Sequence, residues 1–195
     1  MTQELESIAF HYYLGLAVSQ WATIENELRY ILLTQFTDEL LNHEALSIGV
    51  FSLESFRGKI DFVSGVVNRK LAGTPHQTSW GELEKRTRRA STKRNRLAHW
   101  PVRVFPKRPA GRRIALIPWI IDKKRRKTRV PSPPPGSLML RDVAEIKGDF
   151  EALTCALSNF RYSASGQPEP HAKHREQSVP PPTIANIERQ LREAL

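Results

Sequence analysis

The sequence predicts an all-α fold: a bundle of four principal helices with a basic β-hairpin inserted between the third and the fourth. Two observations lead there. Four stretches place apolar residues at three- and four-residue steps, the spacing that gathers side chains on one face of a helix. Only the region after Pro101 changes period, to β-branched and aromatic residues broken by Pro106, Pro109 and Gly111.

The first helix is predicted over residues 4 to 36, where Leu14, Ala17, Trp21, Ile24, Leu28 and Ile31 recur on one stripe. Glu25 lies at the edge of that stripe, either as an ion-pair partner for Arg94 or as a solvent-facing carboxylate paired with Arg29 at i+4. Residues 38–46 read as a short helix and Ser47 to Phe51 as a connection. Ser52 is the expected cap of a second long helix carrying Phe56, Ile60, Val63 and Val67, closed by Gly73 and Pro75.

For the third helix, Ser79 followed three residues later by Glu82 has the form of a capping box, and Pro101 supplies the stop. Between them Leu83, Thr87, Ala90, Arg94 and Leu97 share one face, so Arg94 sits on the stripe that packs inward. Val102, Val104, Ile114, Leu116, Ile117 and Trp119 to Ile121 then read as a hairpin, with Pro118 placing its second strand at an edge. After the break at Pro131 to Gly136, a fourth helix starts near Leu140. It carries Val143, Ile146, Phe150, Leu153, Leu157 and Phe160 in a near-heptad stripe.

This organisation gives a helical domain over 1–163, including the hairpin and loop insertion 101–136. A Pro-rich linker over 164–182 is too poor in apolar residues to offset its ordering entropy. An amphipathic helix over 183–195, capped by Thr183, needs a surface to dock on. That surface is its own bundle, a second protomer or another protein, such as an antitoxin.

The formal net charge of +10 is unevenly divided. Residues 1–84 hold 5 Lys or Arg against 11 Asp or Glu, residues 85–129 hold 18 against 1, and residues 130–195 hold 7 against 8. A basic block of this kind is the footprint of a polyanion or else a solvated face. Arg96, Arg103, Lys107, Arg108, Arg112 and Arg113, with the run Lys123, Lys124, Arg125, Arg126 and Lys127, are the candidate RNA-binding residues. Trp100 and Trp119 beside them serve either as stacking platforms for bases or as core. The single Cys155 excludes an intramolecular disulfide and suits a reducing compartment. With no basic start followed by an apolar run and no stretch near the roughly 20 apolar residues of a membrane span, a cytoplasmic protein without a membrane partner is expected. No glycine loop, metal-ligand cluster or other cofactor motif stands out, so no cofactor is expected.

The most informative stretch is Ser91 to Trp100. A guanidinium fork suits a phosphate and a histidine titrates near neutral pH, so Arg94 and His99 at one helix end are the minimum kit for phosphodiester transfer. The other reading makes Arg94 a structural cation paired with a carboxylate, and His99 a cation at a helix C-terminus, where the dipole favours it.

Arg94, Asn95 and His99, in the order Arg, polar residue, three residues, His, resemble the signature of the HEPN-domain ribonucleases, a family of four-to-five-helix bundles. The resemblance covers roughly residues 5 to 163 and leaves out the basic insert and the tail. It implies a metal-independent endoribonuclease with its site where two protomers meet, possessing RNA as substrate and a homodimer as its working form. Many relatives are toxins or defence effectors. His99 is then the general base or acid, Arg94 steadies the charged phosphorane, and Asn95 orients one of these groups. The products implied are a 2′,3′-cyclic phosphate and a 5′-hydroxyl. Two other functions fit the same residues: a non-catalytic RNA- or nucleotide-binding module, and an interaction protein working through its C-terminal helix.

Overall fold

The computed structural model describes residues 3–35, 46–50, 52–106, 112–118, 133–166 and 189, and these are mostly helical with a small antiparallel hairpin. The elements are α1 (Gln3–Thr34), α2 (Phe56–Lys70), α3 (Pro75–His99), β1 (Val102–Pro106), β2 (Arg112–Leu116) and α4 (Leu140–Ser165). Residues 46–50 are also helical, where the sequence suggested a connection over Ser47 to Phe51. The short helix expected over 38–46 lies, except for its last residue, outside the described residues. Of the helix expected over 183–195 only residue 189 is described, and it is helical; the linker expected over 164–182 begins inside α4, with Ala164 and Ser165, and lies beyond residue 166 outside the described residues. The chain divides into two compact units, Met1–Ser19 with Lys93–Gly148 and Lys173–Leu195, and Gln20–Thr92 with Asp149–Ala172.

In the second unit the apolar stripes lock together through aromatic rings. Trp21 of α1 is buried, meeting Phe56 of α2 edge-on at 4.6 Å between ring centroids and Phe150 of α4 at 5.4 Å. Trp80 of α3 is fully buried against Phe160 at 5.4 Å, and its Nε1 donates to Ser64 Oγ on α2. An indole buries a large apolar area while its N–H still needs an acceptor, and a serine hydroxyl on the facing helix meets that need. Ion pairs close the margins, Arg161 Nε reaching Glu27 Oε2 at 3.2 Å and Arg88 Nη2 reaching Asp61 Oδ1 at 2.6 Å.

The first unit joins the N-terminal turns of α1, where Leu5, Ala9, Phe10, Tyr13 and Ala17 are buried, with the hairpin and the start of α4. β1 and β2 pair antiparallel with Val102 opposite Leu116 and Val104 opposite Ile114. On its other side Leu116 exchanges both backbone hydrogen bonds with Leu138, so β2 lies between two partners. Phe105, Ala115 and Ile117 form a cluster closed by Met139. β2 ends at Leu116, so Pro118 follows the strand rather than standing in it; Trp119 to Ile121 lie outside the described residues.

Two helix starts differ from the sequence expectation, each for a local reason. Ser55, not Ser52, caps α2, accepting the Gly58 N–H at 3.0 Å. Ser52 is occupied backwards: its N–H bonds to Ile48 O and its hydroxyl donates to Gly49 O, both belonging to the helical residues before it. α3 begins at Pro75 instead of after Ser79. Proline at the first helical position brings its φ already set and forfeits a hydrogen bond that the first turn lacks anyway. Gly73, at φ +76°, makes the turn into it, and Gln77 Oε1 accepts the Gly73 N–H at 3.0 Å. Ser79 then lies inside the helix, its hydroxyl donating to Pro75 O.

Candidate functional site

α3 runs through His99, and Trp100 N–H still bonds to Arg96 O at 3.0 Å. Pro101 stops the helix just after the motif, as the sequence predicts. Leu83, Thr87, Ala90 and Leu97 are buried on one stripe, and Arg94 on that same stripe is half-buried. Thr87 is tolerated there because its hydroxyl donates to Leu83 O at 2.7 Å, leaving only its methyl to the core.

Arg94 Nη1 donates to Asn95 Oδ1 at 3.3 Å. Asn95 and His99 are both exposed, and four residues apart on a helix they are surface neighbours, about 5–6 Å between Cβ atoms. Asn95 therefore links the other two, touching Arg94 directly and adjoining His99 one turn on. Arg94 and His99 are five residues apart in continuous helix, which sets them about 140° apart around its axis. No turn of the backbone swings His99 toward Arg94, because α3 continues through His99.

The carboxylate that the sequence offered to Arg94 is taken elsewhere. Glu25 Oε1 accepts Trp21 Nε1 at 2.6 Å, and Glu25 Oε2 meets Lys59 Nζ at 2.8 Å. Both charged groups of that pair are about four-fifths buried, with side-chain exposures of 18% for Lys59 and 21% for Glu25.

Of the candidate RNA contacts, Arg96 is exposed with its guanidinium 5.5 Å from the Trp100 ring centre, a cation–π arrangement. Arg103 on β1 and Arg113 on β2 are exposed, on the face of the hairpin that also holds Phe105 and Ala115. Arg112 opens β2, opposite Pro106. Lys107, Arg108 and the run Lys123, Lys124, Arg125, Arg126 and Lys127 lie outside the described residues. Among the described residues no group of three or more His, Cys, Asp or Glu is placed to hold a metal ion. None of the helices searched is long and apolar enough to cross a membrane.

A second basic set on α3 shares only Arg96 with these candidates. From Lys85 to His99 the helix has seven Lys or Arg and no acidic residue. Lys85 is paired with Glu82, Arg88 with Glu84 and Asp61, and Arg94 is on the inward stripe. The hydrogen bonds and charges of Glu84 and Asp61 outweigh burial and hold the Arg88 guanidinium above its ordinary pKa. The remaining four, Arg86, Arg89, Lys93 and Arg96, recur at steps of three, four and three. That spacing is a sequence signal in its own right, hidden inside a charge run usually read as a whole.

Comparison of the chain with protein-family models, with curated proteins and with solved structures finds no match to any of them.

Proposed function

We propose that the protein is a metal-independent endoribonuclease of the HEPN class that works as a homodimer. The single observation that carries this reading is the grouping of Arg94, Asn95 and His99 on the last turns of α3, with Arg94 bonded to Asn95 and His99 exposed at the helix end. In this mechanism the RNA 2′-oxygen attacks the adjacent phosphorus as His99 removes its proton, and the bond to the 5′-oxygen breaks. A second His99 returns a proton to that leaving oxygen, giving a 2′,3′-cyclic phosphate and a 5′-hydroxyl. Arg94 neutralises charge on the phosphorane.

The dimer has two physical supports. One histidine cannot remove one proton and deliver another in the same step, and each chain has one in this motif. Arg94 and His99 also point to different sides of one helix, so a cleft between two-fold related α3 ends supplies both groups to one phosphate more readily than a single helix does. A toxin or defence role, with a neutralising protein partner, is the biological setting this chemistry suits.

The test is cleavage of end-labelled RNA in EDTA. Wild type should yield 2′,3′-cyclic phosphate ends and spare DNA, which lacks the nucleophile, while His99→Ala loses at least about 100-fold in rate, the lower range for general acid–base catalysis. Cleavage by His99→Ala at the wild-type rate would falsify this reading. The second reading, an RNA-binding module without catalysis, is favoured by the exposed Arg86, Arg89 and Arg96 of α3; it predicts salt-sensitive binding with no cleavage by either protein.

A further inference from the structure

We infer that the N-terminal part of α1 is the docking face for the chain's own C-terminal segment, residues 183–195. That segment lays its apolar stripe, Ile184, Ile187, Leu191 and Leu195, over Ile8, Tyr12, Gly15 and Val18. Both segments belong to one compact unit, which joins Met1–Ser19 with Lys93–Gly148 and Lys173–Leu195. The docking holds whether or not the protein cuts RNA.

The face is set apart by what it lacks. From Ser7 to Ser19, more than three turns of α1, there is no Asp, Glu, Lys or Arg. Leu5, Ala9, Phe10, Tyr13 and Ala17 are buried, while Ile8, His11, Tyr12, Gly15, Val18 and Ser19 are exposed within an arc of about 120° and along about 17 Å of the axis. The solvent side of a surface helix is ordinarily charged, as α4 shows in the same unit with its exposed Arg141–Glu145 pair; a helix without charge on any side is one that another element covers. His11 Nδ1 donates to Ser7 O at 2.8 Å, so the polar ring on this face is turned back to its own helix. A Cβ on Gly15 would meet nothing within 4 Å. Packing within α1 therefore does not call for a glycine there, whereas the close approach of a second backbone does.

The size of the face selects its occupant. Two separate proteins hold together through roughly 20–30 residues a side, several times what six positions on one helix supply. A tethered segment needs far less, because a flexible linker presents it at a millimolar effective concentration. Residues 167–182 are such a linker, and when extended they reach about 55 Å. As a helix, residues 183–195 measure about 20 Å, enough to cover the 17 Å face, and a helix so short is marginal until it has a surface. In that helix position 189 lies about 155° from the middle of the apolar stripe. Arg189 is helical and exposed, the state in which docking by the stripe leaves it.

The experiment forms disulfides in the full chain carrying Cys155→Ser, since Cys155 is exposed. Tyr12→Cys is combined either with Leu191→Cys, on the stripe, or with Arg189→Cys, opposite it. Both tail positions lie near the middle of their segment and share one linker, so the comparison is independent of helix direction and of effective concentration. Closure requires Cα atoms about 4.4–6.8 Å apart, so the Leu191→Cys pair should form an intramolecular disulfide in dilute oxidised glutathione about tenfold faster than the Arg189→Cys pair. In the chain without added cysteines, Val18→Glu should speed hydrogen exchange over 183–195 about tenfold, as a charge on the face releases the segment. Thermal melts of each variant establish that it is folded. Equal closure rates at 189 and 191 overturn the proposal, and so does exchange over 183–195 that Val18→Glu leaves unchanged. A disulfide-linked dimer as the main product assigns the face to a second copy and overturns it as well.

Discussion

Arg94 Nη1 meets the side-chain oxygen of its sequence neighbour Asn95 at 3.3 Å, which makes the amide a tether for the guanidinium. The contact is long for a hydrogen bond and largely open to water, so it biases the position of Arg94 without fixing it.

Asn95→Ala should therefore leave stability unchanged and lower cleavage about three- to tenfold, the worth of one net hydrogen bond felt at the transition state. Single-turnover rates at saturating RNA read this directly. A loss as large as that of His99→Ala would make Asn95 a participant in chemistry, and no loss would make the tether irrelevant.

Mixing His99→Ala chains with wild type should lower the activity per wild-type chain once subunits exchange, because mixed dimers contain an incomplete cleft. Titration with a large excess of the variant, after an incubation long enough for exchange, measures the effect. An active monomer by light scattering removes the shared-site mechanism.

Lys59 and Glu25 are held together at 2.8 Å, with Trp21 satisfying the second carboxylate oxygen. Removal of either partner breaks a mostly buried ion pair. Lys59→Met and Glu25→Gln should each cost about 1–3 kcal/mol, and the double variant less than their sum. Urea melts on all four proteins form the double-mutant cycle, and additivity within about 0.3 kcal/mol contradicts the coupling.

Much of this was legible in the chain and some was not, for reasons that differ by residue. The stripes of α1 and α4 were readable because burying one face of a long helix imposes its period on the sequence; Trp21, Ile24, Leu28 and Phe150 are buried as that period requires. Pro75 was read as a stop although it is a start, because a proline after a glycine is compatible with both. The partner of Glu25 carried no local signal at all: Lys59 is 34 positions away and on another helix. Of the motif, the shared neighbourhood of Asn95 with both other residues followed from spacing. So did the end of α3 just before Pro101, while the bond from Arg94 to Asn95 did not, since spacing does not fix a side-chain rotamer.

Tyr13 supplies the pH dependence. Burial raises its phenol above the ordinary value of 10.0, and the neighbouring Tyr12 adds to the rise. Below that value both folded and unfolded chains hold the proton and stability is indifferent to this group. Above it the unfolded chain ionises first, so the stability present below pH 10.0 is lost as pH climbs through the higher folded value. Tyr13→Phe should lose less stability between about pH 8 and pH 11 than wild type does. Parallel urea curves for the two proteins at those pH values are the measurement, and identical losses refute the assignment.

The hairpin has one more consequence, for what the protein avoids. β2 is paired along one side with β1 and on the other only at Leu116, with Leu138, while β1 has no second strand partner among the described residues. Val104 is 52% exposed there and would invite another extended chain to add itself. Arg103 beside it brings a charge that repels an identical strand, and Pro106 ends β1 with a residue that has no N–H to donate. Copies of this cationic chain are thereby hindered from joining one another edge to edge through β1.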